Sequence, residues 1–155
     1  MSEELTVTTE RVDDIPLLLA QEKRMGIPQL LDDPFPPHGN WQGLSPGHTT
    51  AAWLAHILSE VDHRLSHVQL WAAKCLHTLR ICLDQPVRGL DFSDDRLALL
   101  LTELGDDQRW AAFEGALNRR LLRVYDLQAE RVRVDSTTAR SMVFLSSRML
   151  PGKEG

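Results

Sequence analysis

The sequence predicts a mainly α fold: a compact five- or six-helix domain followed by one short β-strand near the C-terminal end. Three observations point there. Between residues 11 and 126, apolar side chains recur at helical spacing in successive stretches, each bounded by a start or stop signal. Over Arg131-Val132-Arg133-Val134-Asp135 the period changes to two, and the β-branched valines suit a pleated surface. At 155 residues the chain is long enough to bury about two-thirds of its unfolded surface as one domain, so it needs no disulfide or metal staple.

Residues 1–10 are polar and are expected to be loose. Asp13 and Asp14 precede Ile15-Pro16, with proline near the first helical position; Leu18, Leu19 and Glu22 follow, and Met25-Gly26 stops the helix. A short second helix spans 28–32. The run Asp33-Pro34-Phe35-Pro36-Pro37-His38-Gly39-Asn40 cannot be helical, because prolines remove donors and restrict their predecessors.

Ser45-Pro46 reads as an N-cap followed by proline at N1, and Trp53, Leu54, Ile57, Leu58 and Val61 form the expected buried stripe. Ser66 reads as the cap of the next helix, with stripe Val68, Trp71, Cys75, Leu79 and Cys82 and an end near Asp84. Ser93 with Asp94 and Asp95 starts another, buried through Leu97, Leu100, Leu101 and Leu104 and closed by Gly105. Asp106 opens the last, with Trp110, Phe113, Leu117, Leu121 and Val124 inward and Arg109, Arg120 and Arg123 on the adjoining face. The helical period is lost after Tyr125-Asp126-Leu127 and the strand begins. The organisation is thus a loose N-terminus at 1–10, a helical domain at 11–126, a strand segment at 127–139 and a divergent tail at 140–155. The apolar part of that tail either folds back as a hairpin on 131–135 or packs as a short helix, since a lone strand leaves its ladder groups unpaired.

No run of eighteen uncharged apolar residues, no basic n-region and no small-residue cleavage site is present, so neither a membrane span nor a secretory signal is expected. Cys75 and Cys82 lie seven apart in a helical pattern, about 10 Å along the axis, too far for a bridge. They read as core thiols of a cytoplasmic protein. The net charge of −5 argues against non-specific attraction to phosphate, yet it is unevenly spread: residues 1–106 hold 8 Lys/Arg against 16 Asp/Glu, and residues 107–155 hold 9 against 6. Nucleic-acid contact is therefore to be sought in the C-terminal third.

Each local motif has a functional and a plain reading. The helices at 94–104 and 107–123 could be a helix-turn-helix reaching DNA through Arg109, Arg120 and Arg123. An ordinary αα-hairpin fits better, because recognition residues belong at the start of the second helix and this one starts with Asp106 and Asp107. His63 and His67 have the i, i+4 spacing of a helical metal pair, but no Glu follows His63 and Ser66 would break the helix between them; polar contacts at a turn are the better reading of His63 and Arg64. Trp41, within His38 to Gly43, reads as an anchor for the proline-rich crossing. Glu60 and Asp62 point apart on a helix and do not form an acid pair. An Asp at a strand end, such as Asp135, is most often a turn former.

Taken together, several runs carry a resemblance. They are Glu10-Arg11-Val12-Asp13-Asp14-Ile15-Pro16, His38-Gly39-Asn40-Trp41-Gln42-Gly43-Leu44-Ser45, His56-Ile57-Leu58-Ser59-Glu60, Asp62-His63-Arg64-Leu65, Leu90-Asp91-Phe92-Ser93-Asp94-Asp95-Arg96-Leu97 and Arg131-Val132-Arg133-Val134-Asp135-Ser136-Thr137-Thr138. In this order, over about residues 10–139, they resemble the N-terminal region of bacterial insertion-sequence DDE transposases. The resemblance implies a helical N-terminal domain preceding an RNase H-like catalytic domain, whose first strand matches 131–135 and whose first metal-binding Asp matches Asp135. It implies DNA cleavage and strand transfer with Mg2+ or Mn2+ in the intact family, and no small-molecule cofactor. Two-metal chemistry needs several converging carboxylates, and after Asp135 the remaining acid is Glu154. From about Arg140 the sequence departs from the family, so a truncated or frameshifted copy, silent alone, is the expectation. It would bind DNA at element ends through Arg109, Arg120, Arg123, Arg131 and Arg133, pair with full-length transposase, or self-associate. The rival expectation is a structural or protein-interaction helical module with no DNA role.

Overall fold

The structure, a computed structural model, describes Val7 and residues 9–126. These residues form seven α-helices and one 3₁₀ turn, and no strand occurs among them. The order is α1 (Ile15–Met25), α2 (Ile27–Asp32), α3 (Pro46–Glu60), α4 (Leu65–Lys74), α5 (Leu76–Leu83), the 3₁₀ turn Gly89–Phe92, α6 (Asp94–Leu104) and α7 (Asp107–Val124). The mainly α expectation holds for this part. The predicted strand over 127–139 and the tail lie outside the described residues.

Local signals set several boundaries as expected. Gly26 takes φ +70° and its N–H closes α1 on the carbonyls of Glu22 and Lys23, a left-handed cap that glycine adopts without strain. Two residues later Pro28 sits in the first turn of α2. Ser45 Oγ accepts from the His48 N–H to cap α3, and Asp106 Oδ1 accepts from the Arg109 N–H to cap α7.

The main core lies between α1, α3, α4, α5 and α6 and includes Ile15, Leu19, Trp53, Val68, Trp71, Leu79, Phe92 and Leu97. A second cluster of Ile27, Leu31, Phe35 and Phe113 joins α2 to α7. Phe35 is buried inside the proline-rich crossing, so this phenylalanine anchors it to the helices as Trp41 was expected to do.

Five expectations are corrected. The buried face of α3 is Thr49, Ala51, Ala52, Trp53, Ala55 and His56, whereas Leu54, Leu58 and Val61 are exposed. Small residues win that face because α3 packs close to α2: a Cβ on Gly47 would meet the Pro28 carbonyl oxygen at 2.0 Å. The single helix expected over 66–84 is two, broken at Cys75 with φ −126°. The free amides at the start of α5 are satisfied from far away, by Glu10, whose carboxylate accepts from His77 N at 2.9 Å, Thr78 N at 2.8 Å and Thr78 Oγ1 at 2.7 Å. Burial raises the Glu10 pKa, but those hydrogen bonds outweigh it and leave the carboxyl below its ordinary value. Residue 10 is thus fixed and not part of a loose end. Finally, Ser66 lies inside α4 and does not cap it, and Leu101, Trp110 and Val124 of the expected stripes are exposed.

The loop between α2 and α3 is locked to the segment between α5 and α6. Asp91, wholly buried, accepts from Arg88 N and from the Arg88 guanidinium, each at 2.9 Å, and lies 3.4 Å from the Arg96 guanidinium. Arg96 in turn donates to the carbonyls of Gln42 and Leu44, both at 2.6 Å, and stacks 4.1 Å over the Trp41 ring. Trp41 Nε1 also donates to the Leu44 carbonyl. Gly43 sits at φ +79°, and a Cβ there would lie 2.1 Å from Asp91 Oδ1. Only glycine fits, for both conformational and steric reasons. Gly43→Ala is expected to lower stability by on the order of 3 kcal/mol in urea denaturation. Gly39→Ala, in open space four residues earlier, is expected to change it by less than about 0.5 kcal/mol.

Candidate functional site

Two places combine charge with accessibility. The first is a basic edge where the C-terminal turns of α1 and α7 meet. Arg120 lies against Gly26, with guanidinium carbon 2.7 Å from the position of a Cβ there, and donates to the Arg24 carbonyl at 3.2 Å. Around it are the exposed side chains of Arg24 on α1 and of Arg119 and Arg123 on its own helix. A shallow crevice lined by Arg24, Met25, Arg120, Leu121, Val124 and Tyr125 runs along this edge, and Gln21 Nε2 donates to the Tyr125 hydroxyl at 3.3 Å. Cations at the C-terminal ends of two helices also complement both macrodipoles. Such an edge can attract phosphate without reading base sequence.

The sequence-predicted arginines are divided by this geometry. Arg120 and Arg123 belong to the edge. Arg109 does not, being at the opposite end of α7, where it donates to the Pro34 carbonyl at 2.7 Å, pairs with Glu103 and stacks 4.5 Å from the Phe35 ring centre. Arg131, Arg133 and Asp135 lie outside the described residues. Arg24 was missed, because in sequence it reads as part of the basic last turn of an unrelated helix.

The histidine motifs resolve into separate roles. His63 lies in the loop before α4 and is exposed, so it shares no helix face with His67. Asp62 organises this turn: it accepts from Arg64 N, from the Arg64 guanidinium and from His67 Nδ1 at 2.8 Å. The Arg64 contacts first, then His67, hold its carboxyl well below the usual range against a smaller opposing effect of desolvation. His56 is buried edge-on to Trp71, ring centres 5.0 Å apart, and burial pushes its pKa down. Cys75 is buried and Cys82 half-buried, both free, and desolvation pushes the Cys75 thiol up to about 12. Among the described residues no group of three His, Cys, Asp or Glu side chains is arranged to hold a metal ion.

The second place is a cleft of about 200 Å³ where α1, α2, α3 and α5 meet, lined by Glu22, Lys23, Gln29, His48, Cys82, Asp84 and neighbouring apolar residues. Glu22 is 6 % exposed, and neither carboxylate oxygen has a hydrogen-bond partner among the described residues. Burial raises its pKa from 4.5 to about 8. Below the cleft, Asp32 Oδ1 accepts from Gly47 N at 2.7 Å and Oδ2 accepts from Ser45 Oγ at 2.7 Å. Since the single hydroxyl proton of Ser45 is given to Asp32, its 2.8 Å contact with His48 Nδ1 requires that nitrogen to be the donor. In the neutral ring of His48 the lone pair is therefore on Nε2. Serine and aspartate meet the same ring nitrogen, so this is not the relay of a nucleophilic triad.

Compared with protein-family models, with curated proteins and with solved structures, the chain matches none.

The folded-state pKa of Glu22 lies above the unfolded one, so the native state holds the proton more tightly. Its contribution is undiminished below pH 4.5 and declines as pH rises through the interval to about 8. Glu22→Gln is expected to remove this slope and to be more stable than wild type at pH 9 by on the order of 4 kcal/mol, measured by urea denaturation across pH 5–9. Parallel wild-type and variant curves over that range would contradict the assignment.

Proposed function

We propose that the chain supplies the helical N-terminal region of an insertion-sequence DDE transposase and that its own activity is binding: DNA at element ends through the basic edge of α1 and α7, or full-length transposase. The observation that carries the reading is the joining of two runs that bear the resemblance, 38–45 and 90–97, through Gly43, Asp91 and Arg96. Residues 48 apart are chosen to fit one another, as expected if both runs belong to one inherited unit. The basic edge adds to it, since α7 ends at Val124, shortly before residues 127–139, and Arg120 donates to the Arg24 carbonyl, with Arg123 one turn further on.

In this reading DNA strand cleavage and transfer belong to the catalytic domain of the family, with Asp135 as first ligand for Mg2+ or Mn2+. The described helices position the nucleic acid. A purely protein-interaction module is the second reading, and the exposed Leu54 and Leu58 of α3, with Val61 just past its end, favour it.

Gel-shift titration of the full chain with terminal-repeat duplexes at 50 and 200 mM salt separates the two. Four phosphate contacts along the basic edge would weaken binding by roughly a hundredfold between those salts. Arg120→Glu combined with Arg123→Glu is expected to lower affinity at least tenfold, with circular dichroism unchanged. Absence of a shift at 50 mM, or binding indifferent to both salt and charge reversal, would favour the interaction module.

A further inference from the structure

We propose that the cleft between α1, α2, α3 and α5 is a binding site for a small organic cation, an alkylguanidinium or alkylammonium group received by the carboxylate of Glu22. The proposal stands on an unmet need of the fold. Buried carboxylates in folded proteins are hydrogen-bonded or paired, because the ion loses its hydration without replacement otherwise. Glu22 lines the cleft, is more than nine-tenths buried and has no donor for either oxygen among the described residues. A ligand bearing two or more N–H groups and a positive charge supplies both missing interactions at once, and a planar guanidinium matches the two oxygens as a fork.

The rest of the lining selects for a donor-rich cation. Asp84 adds a second carboxylate, Gln29 and Gln85 add amide carbonyls, and His48 has Nε2 as its acceptor because Nδ1 donates to Ser45. Among the described residues Lys23 is the one cation in the wall and is itself exposed, while α5 also brings the half-buried thiol of Cys82. The wall from α2 carries no charged group. A volume of about 200 Å³ equals roughly six or seven waters, room for a guanidinium with a short alkyl chain.

Binding then entails a proton balance. The cation pairs with ionised Glu22, so the carboxyl proton leaves to the buffer when the ligand enters. With the free group titrating near pH 8, close to one proton is released at pH 7, and affinity rises about tenfold from pH 6 to pH 7 before levelling above pH 8. The cation can be a free small molecule or the side chain of an arginine-bearing peptide, and the two are tested separately.

The experiment is isothermal titration of the full chain with ethylguanidine and, in a second arm, with doubly blocked arginine, in two buffers of different ionisation enthalpy. Saturable binding of either probe, with proton uptake by the buffer and at least a tenfold loss in Glu22→Gln, supports the site, and the arm that binds more tightly identifies the source. No saturable binding in either arm overturns it, as does equal binding by Glu22→Gln. Should that variant fail to fold, carbon-13 NMR titration of the Glu22 carboxyl in the wild-type chain decides: ligand must move its midpoint to lower pH, and an unmoved midpoint overturns the proposal.

Discussion

A carboxylate with no access to water dominates the architecture of this helical domain. Asp91 cannot be buried as an ion unless its lone pairs are filled, and the chain fills them from two sides, with Arg88 from its own turn and Arg96 from the next helix. Burial depresses the Arg96 pKa and Arg88 adds to that effect, while Asp91 opposes it. The terminal nitrogens of Arg96 also reach the carbonyls of Gln42 and Leu44, so one cation ties together the loop after α2 and the start of α6. Leu44 then enters the main core, and Ser45 is delivered to cap α3. Helix α3, placed by that loop, can approach α2 closely because its facing residues are small.

How legible this was depends on how local each cause is. Gly26, Ser45-Pro46 and Asp106 act within four residues of themselves, and the helix ends that they set were readable. The break at Cys75 was not, because the amides that it frees are satisfied by Glu10, 67 and 68 positions away in sequence. The stripe on α3 misled for a different reason: hydrophobicity counts favour Leu54 and Leu58, whereas close helix approach rewards Ala51, Ala52 and Ala55. Asp91 and Arg96 appeared in a quoted run, and nothing in their spacing announced that they would meet Gly43.

The candidate sites divide in the same way. Arg120 and Arg123 were legible as a basic face of one helix, but their neighbour Arg24 comes from α1 and becomes visible only in three dimensions. Arg109 shares their helix yet serves the Phe35 crossing. Glu22 was read as one more residue of an amphipathic helix, and no single-sequence signal distinguishes a glutamate that faces solvent from one enclosed by three other helices. Asp135 and the segment expected to carry it lie outside the described residues, so the catalytic side of the resemblance and the helical side rest on different parts of the chain.

If the buried ion pair is what holds the domain together, Asp91 and Arg96 must be energetically coupled. A double-mutant cycle in urea, using Asp91→Ala, Arg96→Ala and the pair, measures this directly. Each single change is expected to cost about 3–5 kcal/mol by stranding the other charge, and the double variant should lose at least about 2 kcal/mol less than the sum of the two. Additivity within about 0.5 kcal/mol would show that the two residues act independently and that the loop is held by something else.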